Sequence, residues 1–429
     1  MSSDSKYGFA TRAIHAGAAP DPTTGARGTP IHQTTAYVFK DADHAAALFG
    51  LEEAGFIYSR LTNPTVSVFQ DRVASLEGGV GATCTASGHS AQLLALFALM
   101  NSGDEFVASN KLYGGSITQF GHSFKKFGWQ VHFVDPVNPE NFRKAITPKT
   151  KAVFTESLAN PGGVICDIEA IASIAHAAGI PCIVDNTLPS PALCRPFEYG
   201  ADIVVHSTTK FISGHGNAMG GAVVDSGNFD WSQNDKFPDL VENCGAYHGL
   251  NFYETFGKMA YTMFCHAVGL RDLGPSMSPM NAYLSLTGAE TLPLRMQKHA
   301  DNALEVAKWL QGHAQVSWVS YAGLPDNEFY SLAQKYCPKG AGSVFTFGVK
   351  GGYEMGLGVV SQCKLLSHLA NIGDTRSLII HPASTTHRQL TEEQQISAGA
   401  GPDVVRLSIG IEDAADVIAD LDQALVAST

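Results

Sequence analysis

From about residue 65 the chain alternates short apolar runs with stretches of helical periodicity, and this rhythm restricts the fold more than any other feature. The runs are Phe106–Ala108, Val131–Val134, Ala152–Phe154, Cys182–Val184, Ile203–Val205 and Gly221–Val224. Helical patterns cover Val66–Glu77, Ala91–Met100 (entered through Ser87-Gly-His-Ser90) and Ile168–Ala178. Strands that alternate with helices predict a mainly parallel sheet covered on both faces. Residues 225–275 break the rhythm with Trp, Asn, Pro and Gly, and read as an inserted, loop-rich segment leading into a helix. A second unit follows: a long helix over Leu292–Gln311, strands at Val344–Val349, Leu378–Ile380 and Val404–Ile409, and a closing helix over Ala414–Ala427. Its short, mixed elements fit a small α+β domain. The first 64 residues, rich in Gly, Pro, Thr and Ala, read as an extended arm with short helical pieces. The expected organisation is therefore an arm (1–64), a large domain (65–275) and a small C-terminal domain (276–429), which a 429-residue chain can accommodate.

Charge and cysteine usage narrow the function. The formal net charge is −12 with a sequence pI near 5.7, and no long basic run appears. A nucleic-acid or anionic-membrane surface is not expected. Any anionic ligand must be held by local positive groups inside a pocket. The eight cysteines are scattered without a C-x-x-C pair, and the sixteen histidines form no H-E-x-x-H. They read as buried free thiols of a cytoplasmic protein, with no disulfide framework and no metal site. The first residues, Met1 to Lys6, carry no apolar signal core. The longest apolar stretch, Ala91–Met100, is too short to span a bilayer.

The chemistry concentrates in Ala201-Asp-Ile-Val-Val-His-Ser-Thr-Thr-Lys-Phe-Ile-Ser-Gly-His-Gly216. A β-branched run ends in hydroxyls, one lysine and glycines. A lysine reacts with aldehydes as a neutral amine, so its ordinary pKa of about 10.4 must fall, and a buried strand end is one place where it can. Taken alone, a lysine after a strand is usually solvated. A second strand, Ile180-Pro-Cys-Ile-Val-Asp-Asn186, ends in an acid, and ligands of open α/β sheets sit at the carboxyl ends of strands. Asp185 and Lys210 can thus reach one site, although an aspartate there is more often a cap or turn residue. A lysine and an acid together are what pyridoxal phosphate needs, the one to link to its aldehyde and the other to keep its ring nitrogen protonated. A phosphate site is also needed. Ser207 and Thr209, two residues apart on a strand end, are expected on one side of it. Ser87, Gly88 and His89, at the mouth of a helix, offer backbone N–H groups and the positive end of a dipole.

These residues lie in motifs by which the chain resembles the Cys/Met-metabolism family of pyridoxal-phosphate enzymes. The motifs are Tyr58-Ser-Arg-Leu-Thr-Asn-Pro-Thr65, Tyr113-Gly-Gly, Glu156-Ser-Leu-Ala-Asn-Pro-Gly162, Val184-Asp-Asn-Thr187, Ser207-Thr-Thr-Lys210 and Val405-Arg-Leu-Ser-Ile-Gly410. Within the family the chain most resembles the O-acetylhomoserine sulfhydrylases, through Phe237-Pro-Asp-Leu240, Tyr247-His-Gly-Leu250, Gly288-Ala-Glu-Thr-Leu-Pro-Leu-Arg295 and His381-Pro-Ala-Ser-Thr-Thr-His387. The resemblance implies the PLP-dependent transferase fold (aspartate-aminotransferase-like, fold type I): α/β, with a mainly parallel sheet and a smaller α+β C-terminal domain.

The resemblance also implies roles. Lys210 would hold the cofactor and move protons, Asp185 would pair with the ring nitrogen, and Tyr113 would stack on the ring and assist acid–base steps. The backbone of Gly88 and His89, with Ser87, Ser207 and Thr209, would bind the phosphate. Tyr58 and Arg60 would complete that site from a neighbouring subunit, which makes a homodimer obligatory; the family inclines towards a homotetramer. Arg406 would clamp the substrate α-carboxylate with its planar fork, and Asn160 and Asn371 would assist near cofactor and carboxylate. Two positions depart from the pattern. His89 stands where many relatives have glutamine or methionine, which matters little if only its backbone is used. Gly115 stands where methionine γ-lyases carry a cysteine, which counts against γ-lyase as the main activity. The implied reaction is γ-replacement on O-acetyl-L-homoserine, in which sulfide or methanethiol displaces acetate to give homocysteine or methionine. Cystathionine γ-synthase, O-succinylhomoserine sulfhydrylase and γ-lyase are the alternatives.

Overall fold

Seven strands form the larger of two main sheets in the computed structural model, which describes residues 6–159, 163–389, 391–397 and 399–429. They are β1 (Gly81–Thr85), β2 (Glu105–Ser109), β3 (Gln130–Val134), β4 (Thr150–Glu156), β5 (Cys182–Asp185), β6 (Ile203–His206) and β7 (Gly221–Asp225). Their spatial order is β1-β7-β6-β5-β4-β2-β3. The neighbours from β6 to β3 pair in parallel, and β7 runs antiparallel to both β6 and β1. Strands covered on both faces carry continuous apolar runs, and Val153, Phe154, Ile183, Val184, Val204 and Val205 are all fully buried.

The six predicted strands of this sheet are present, with ends moved by one or two residues. The seventh, β1, is additional. Its sequence Gly-Ala-Thr-Cys-Thr has little β-branched apolar character, and it is held by its antiparallel register with β7. Side chains fix the helix starts. Asn63 accepts from the amides of Thr65 and Val66 at the head of Pro64–Glu77. Ser87 caps Gly88–Phe97, and Asp167 caps Ile168–Ala177. The segment 225–275, expected to be loop-rich, is largely a chain of short helical turns around a two-residue ribbon (Asn243–Cys244 with Leu250–Asn251). Aromatic packing organises it: Trp231 stacks on Tyr261 at 5.2 Å, and the Tyr261 hydroxyl donates to the Ala95 carbonyl at 2.9 Å.

The second sheet has five strands: β8 (Val316–Ser320), β9 (Val344–Val349), β10 (Ser367–His368), β11 (Leu378–Ile380) and β12 (Val404–Ser408), in the order β8-β9-β12-β11-β10. The three central strands are the ones the sequence predicts. The two edge strands are not, being short or half-exposed. Helices Pro279–Glu290, Tyr330–Tyr336 and Gly352–Gln362 are also additional. The last contains glycines that oppose helix formation. Packing overrides this: a Cβ on Gly356 would lie 2.7 Å from the His381 ring. No helix among the described residues is long and apolar enough to cross a membrane.

Candidate active site

The carboxyl ends of the parallel strands open onto a cavity of about 340 Å³, closed on its other side by the second sheet. This is where α/β sheets place ligands. Asp185 is the last residue of β5, and its register partner Val205 is the penultimate residue of β6. Lys210 follows four residues after the end of β6, so acid and amine enter the cavity from adjacent strands.

The route differs in one respect from the sequence expectation. β6 ends at His206, and Ser207 to Lys210 form a turn in which the Lys210 amide donates to the Ser207 carbonyl at 3.2 Å. Two-residue strand alternation therefore does not bring Ser207 and Thr209 to one side. The turn does, leaving Thr208 buried while both neighbours line the cavity. The Thr209 hydroxyl donates to the Gly220 carbonyl at 3.1 Å and accepts the Gly220 amide at 3.0 Å, which locks this turn to the next strand.

Lys210 Nζ donates to Asn371 Oδ1 at 2.5 Å. Burial, and then the nearby Arg406 guanidinium, hold its ammonium below the ordinary lysine pKa, as a reactive amine requires. Arg406, in the middle of β12, is only 9% exposed, and burial pushes its own pKa down to about 10. Its Nη2 donates to the Asn371 carbonyl at 3.2 Å. An arginine on a strand is ordinarily on the solvent face, and this one is not.

Asp185 is fixed at both oxygens: Oδ2 accepts from Gln92 Nε2 at 3.1 Å, and Oδ1 from the Thr187 amide at 3.0 Å. Tyr113 is half-exposed at the cavity wall, with its amide donating to Glu156 Oε1 at 2.7 Å and its ring 5.9 Å from that of His89. Gly88 and His89 begin a ten-residue helix, so their amides have no carbonyl to bind within it. Gly88 approaches the Ser207 turn so closely that a Cβ would lie 2.7 Å from Ser207 Cβ. Helix mouth and lysine turn thus form one cradle.

Tyr58 and Arg60 lie outside this cavity. The guanidinium of Arg60 sits 5.7 Å from the Tyr58 ring centroid and donates to the Arg271 carbonyl, and Tyr58 is 43% exposed. Asn160 falls outside the described residues.

Three residues of the site region were not assigned roles from the sequence. Gln92 orients Asp185 while also donating to Ser116 Oγ at 2.9 Å. Its signal was helical spacing, since it lies one turn after Gly88 and His89 on the same face. Thr187 holds Asp185 through its amide and takes the Ser207 amide on Oγ1 at 2.8 Å. Arg295 is buried, and donates to the carbonyls of Phe211 (2.8 Å), Ile212 (3.2 Å) and Gly288 (2.7 Å), clamping the backbone that follows Lys210.

A depressed lysine in a turn after a parallel strand, a doubly fixed acid on the next strand and an open helix mouth beside both belong to the class of pyridoxal-phosphate enzymes with the aspartate-aminotransferase-like fold. The residues fit that cofactor in amine, acid and anion cradle. The chain belongs to the Cys/Met metabolism PLP-dependent enzyme family, whose model matches residues 10–426. It is 51% identical over 424 residues to O-acetyl-L-homoserine sulfhydrylase of Leptospira meyeri (97% of this chain, 96% of the relative). It is 48% identical over 419 residues to homocysteine synthase of Schizosaccharomyces pombe (97% and 98%). A crystal structure from Campylobacter jejuni, of a chain named for O-acetylhomoserine (thiol)-lyase and containing N'-pyridoxyl-lysine-5'-monophosphate, superposes with a TM-score of 0.95 at 41% identity, over 98% of this chain and 100% of that one.

Proposed function

We propose that this protein is a pyridoxal-phosphate-dependent O-acetyl-L-homoserine sulfhydrylase. It replaces the acetate of O-acetylhomoserine with sulfide, or with methanethiol, to release homocysteine or methionine. The observation that carries this reading is the convergence of Lys210, Asp185 and Arg406 on one cavity, in a chain with sulfhydrylase relatives along nearly its whole length.

Bound pyridoxal phosphate supplies an electron sink for charge developing at the substrate Cα. Lys210 anchors it and, once displaced by the substrate amine, takes the Cα proton on Nζ. A pKa lowered by burial keeps that amine free to accept it. Asp185, held by Gln92 and Thr187, keeps the ring nitrogen protonated. Tyr113 stacks on the ring, and the amides of Gly88 and His89, with Ser87, Ser207 and Thr209, hold the phosphate. Arg406 grips the α-carboxylate, aided by Asn371 and Asn160. Orientation by these fixed groups supplies much of the acceleration.

Tyr58 and Arg60, which do not line their own chain's cavity, complete the phosphate site of a neighbouring copy. The working form is therefore at least a homodimer, and a homotetramer in the cytoplasm is the proposed assembly. Residues 65–275 act as the cofactor-binding domain, with 276–429 as the smaller domain. Purified holoenzyme given O-acetylhomoserine and sulfide is expected to yield equimolar homocysteine and acetate. Activity confined to O-succinylhomoserine, or to cysteine as nucleophile, would replace this reading with an alternative γ-replacement. No turnover with cofactor bound would end it.

A further inference from the structure

The imidazole of His89 lines the cavity beside Tyr113, with ring centroids 5.9 Å apart and planes inclined by 60°. It occupies space that a side chain at position 115 would need. A Cβ built on Gly115 would lie 2.9 Å from both His89 Cε1 and Nε2, and 2.4 Å from Tyr113 Cε1. Glycine at 115 therefore lets both rings reach the cavity. Backbone amides alone do not account for an imidazole placed there.

The incoming sulfur nucleophile presents a chemical demand that no other residue meets. Sulfur attacks as its anion. Hydrogen sulfide is already substantially ionised near neutrality, whereas an alkyl thiol is largely protonated and needs a base. The titratable groups lining the same cavity are Tyr113, Glu156, Asp185, Lys210 and Arg406. Lys210 is committed to the Cα proton. Both Asp185 oxygens are engaged by Gln92 and Thr187, and Glu156 Oε1 takes the Tyr113 amide. Arginine has no acceptor, and Tyr113 is assigned to the ring and to acid–base steps there. An imidazole is the side chain suited to accept a proton between pH 5 and 8.

We infer that His89, through its side chain, is the base that deprotonates a thiol co-substrate, which makes it a determinant of thiol use as opposed to sulfide use. The inference rests on the function proposed above. In this step the S–H bond breaks, its electron pair stays on sulfur and its proton goes to the imidazole. The Cγ–O bond breaks, acetate leaving with that electron pair, and sulfur forms the new bond to Cγ. His89 is exposed and passes its proton to water, so one proton is released for each acetate.

The test compares wild-type and His89→Gln holoenzymes with methanethiol and with sulfide, at saturating O-acetylhomoserine, across pH 6–9. The visible absorbance of bound cofactor, which reports the backbone cradle, is expected to be unchanged. Near neutrality His89→Gln should lose about 10²-fold in kcat/KM for methanethiol and less than about threefold for sulfide, and its methanethiol profile should move to higher pH. Equal losses with both nucleophiles, or none, overturn the inference while leaving the proposed function standing. A wild type inactive with both nucleophiles removes the function and the inference together. Should His89→Gln fail to fold, His89→Asn, which also lacks a base, takes its place; the same selective loss supports the inference and an equal loss overturns it.

Discussion

Lys210 and Asn371 are joined at 2.5 Å, from Nζ to Oδ1, across the junction between the two main sheets. The backbone carbonyl of Asn371 accepts from Arg406 Nη2, so one residue relates the reactive amine to the carboxylate clamp. The amide oxygen is neutral and does not offset the effect of burial and Arg406 on the lysine. A carboxylate there would. Asn371→Asp is expected to raise the Lys210 pKa, and hence to move the acidic limb of the kcat–pH profile upward by about one unit or more. The limb rises because the amine must be neutral to take the Cα proton. A profile that does not move would mean that Lys210 is not the base or that Asn371 does not contact it during turnover.

The Arg295 guanidinium donates to backbone carbonyls and to the Thr291 hydroxyl, and burial lowers its pKa to about 10. Its work is to hold the turn that carries Lys210. Arg295→Met preserves much of the stem volume but strands buried carbonyls at Phe211 and Ile212. A loss of about 3 kcal/mol of stability is expected from denaturant unfolding of the holoenzyme. Arg295→Lys, which restores a single donor group, should recover part of it. Cofactor affinity, followed by visible absorbance during dialysis, should fall in the same order.

The sequence makes Lys210, Asp185 and Arg406 legible because each ends or interrupts an apolar run, where a charge is conspicuous. The central strands are legible for the same reason. What is hidden depends on tertiary approach. Nothing local marks Arg295 as a clamp on a turn 84 residues earlier in the chain. Nothing local shows that Gln92 meets Asp185 across a separation of 93 residues. Gly352–Gln362 is a helix because Gly356 fits against His381 and Gly358 against Ser428, a fact absent from propensity. The turn after β6 shows the reverse: a strand-period argument reached the right side chains by the wrong geometry.

His299 gives the fold a sensitivity to acid. Its ring is fully buried against Phe211, with Nδ1–H donating to the Ile409 carbonyl at 2.7 Å. Burial lowers its pKa to about 4. In the unfolded chain an imidazole binds its proton near pH 6.5, so the unfolded state takes up the proton first as pH falls. Stability from this group is therefore complete above about pH 6.5 and lost as pH falls to about 4, by about 3 kcal/mol. Urea unfolding across this range should show a decline that His299→Gln reduces. An identical slope in the variant would assign the acid sensitivity elsewhere.

Arg60 and Lys210 lie on one chain but are proposed to serve different sites. Arg60 contacts Arg271 and Tyr58 in its own chain and does not line the cavity holding Lys210. If Arg60 acts on a neighbour's phosphate site, defects at the two positions must complement. Lys210→Ala homomers should lack activity, and Arg60→Ala homomers should bind cofactor weakly. In a heterodimer of the two, one cavity carries both defects and the other carries neither. Equal co-expression with random pairing puts half of the chains into heterodimers, and half of those chains bear an intact site. About a quarter of wild-type activity is therefore expected. If Arg60 served its own chain, every site would carry one defect and the mixture would be no more active than the average of its parents. Activity measured on tag-selected heterodimers separates the two outcomes.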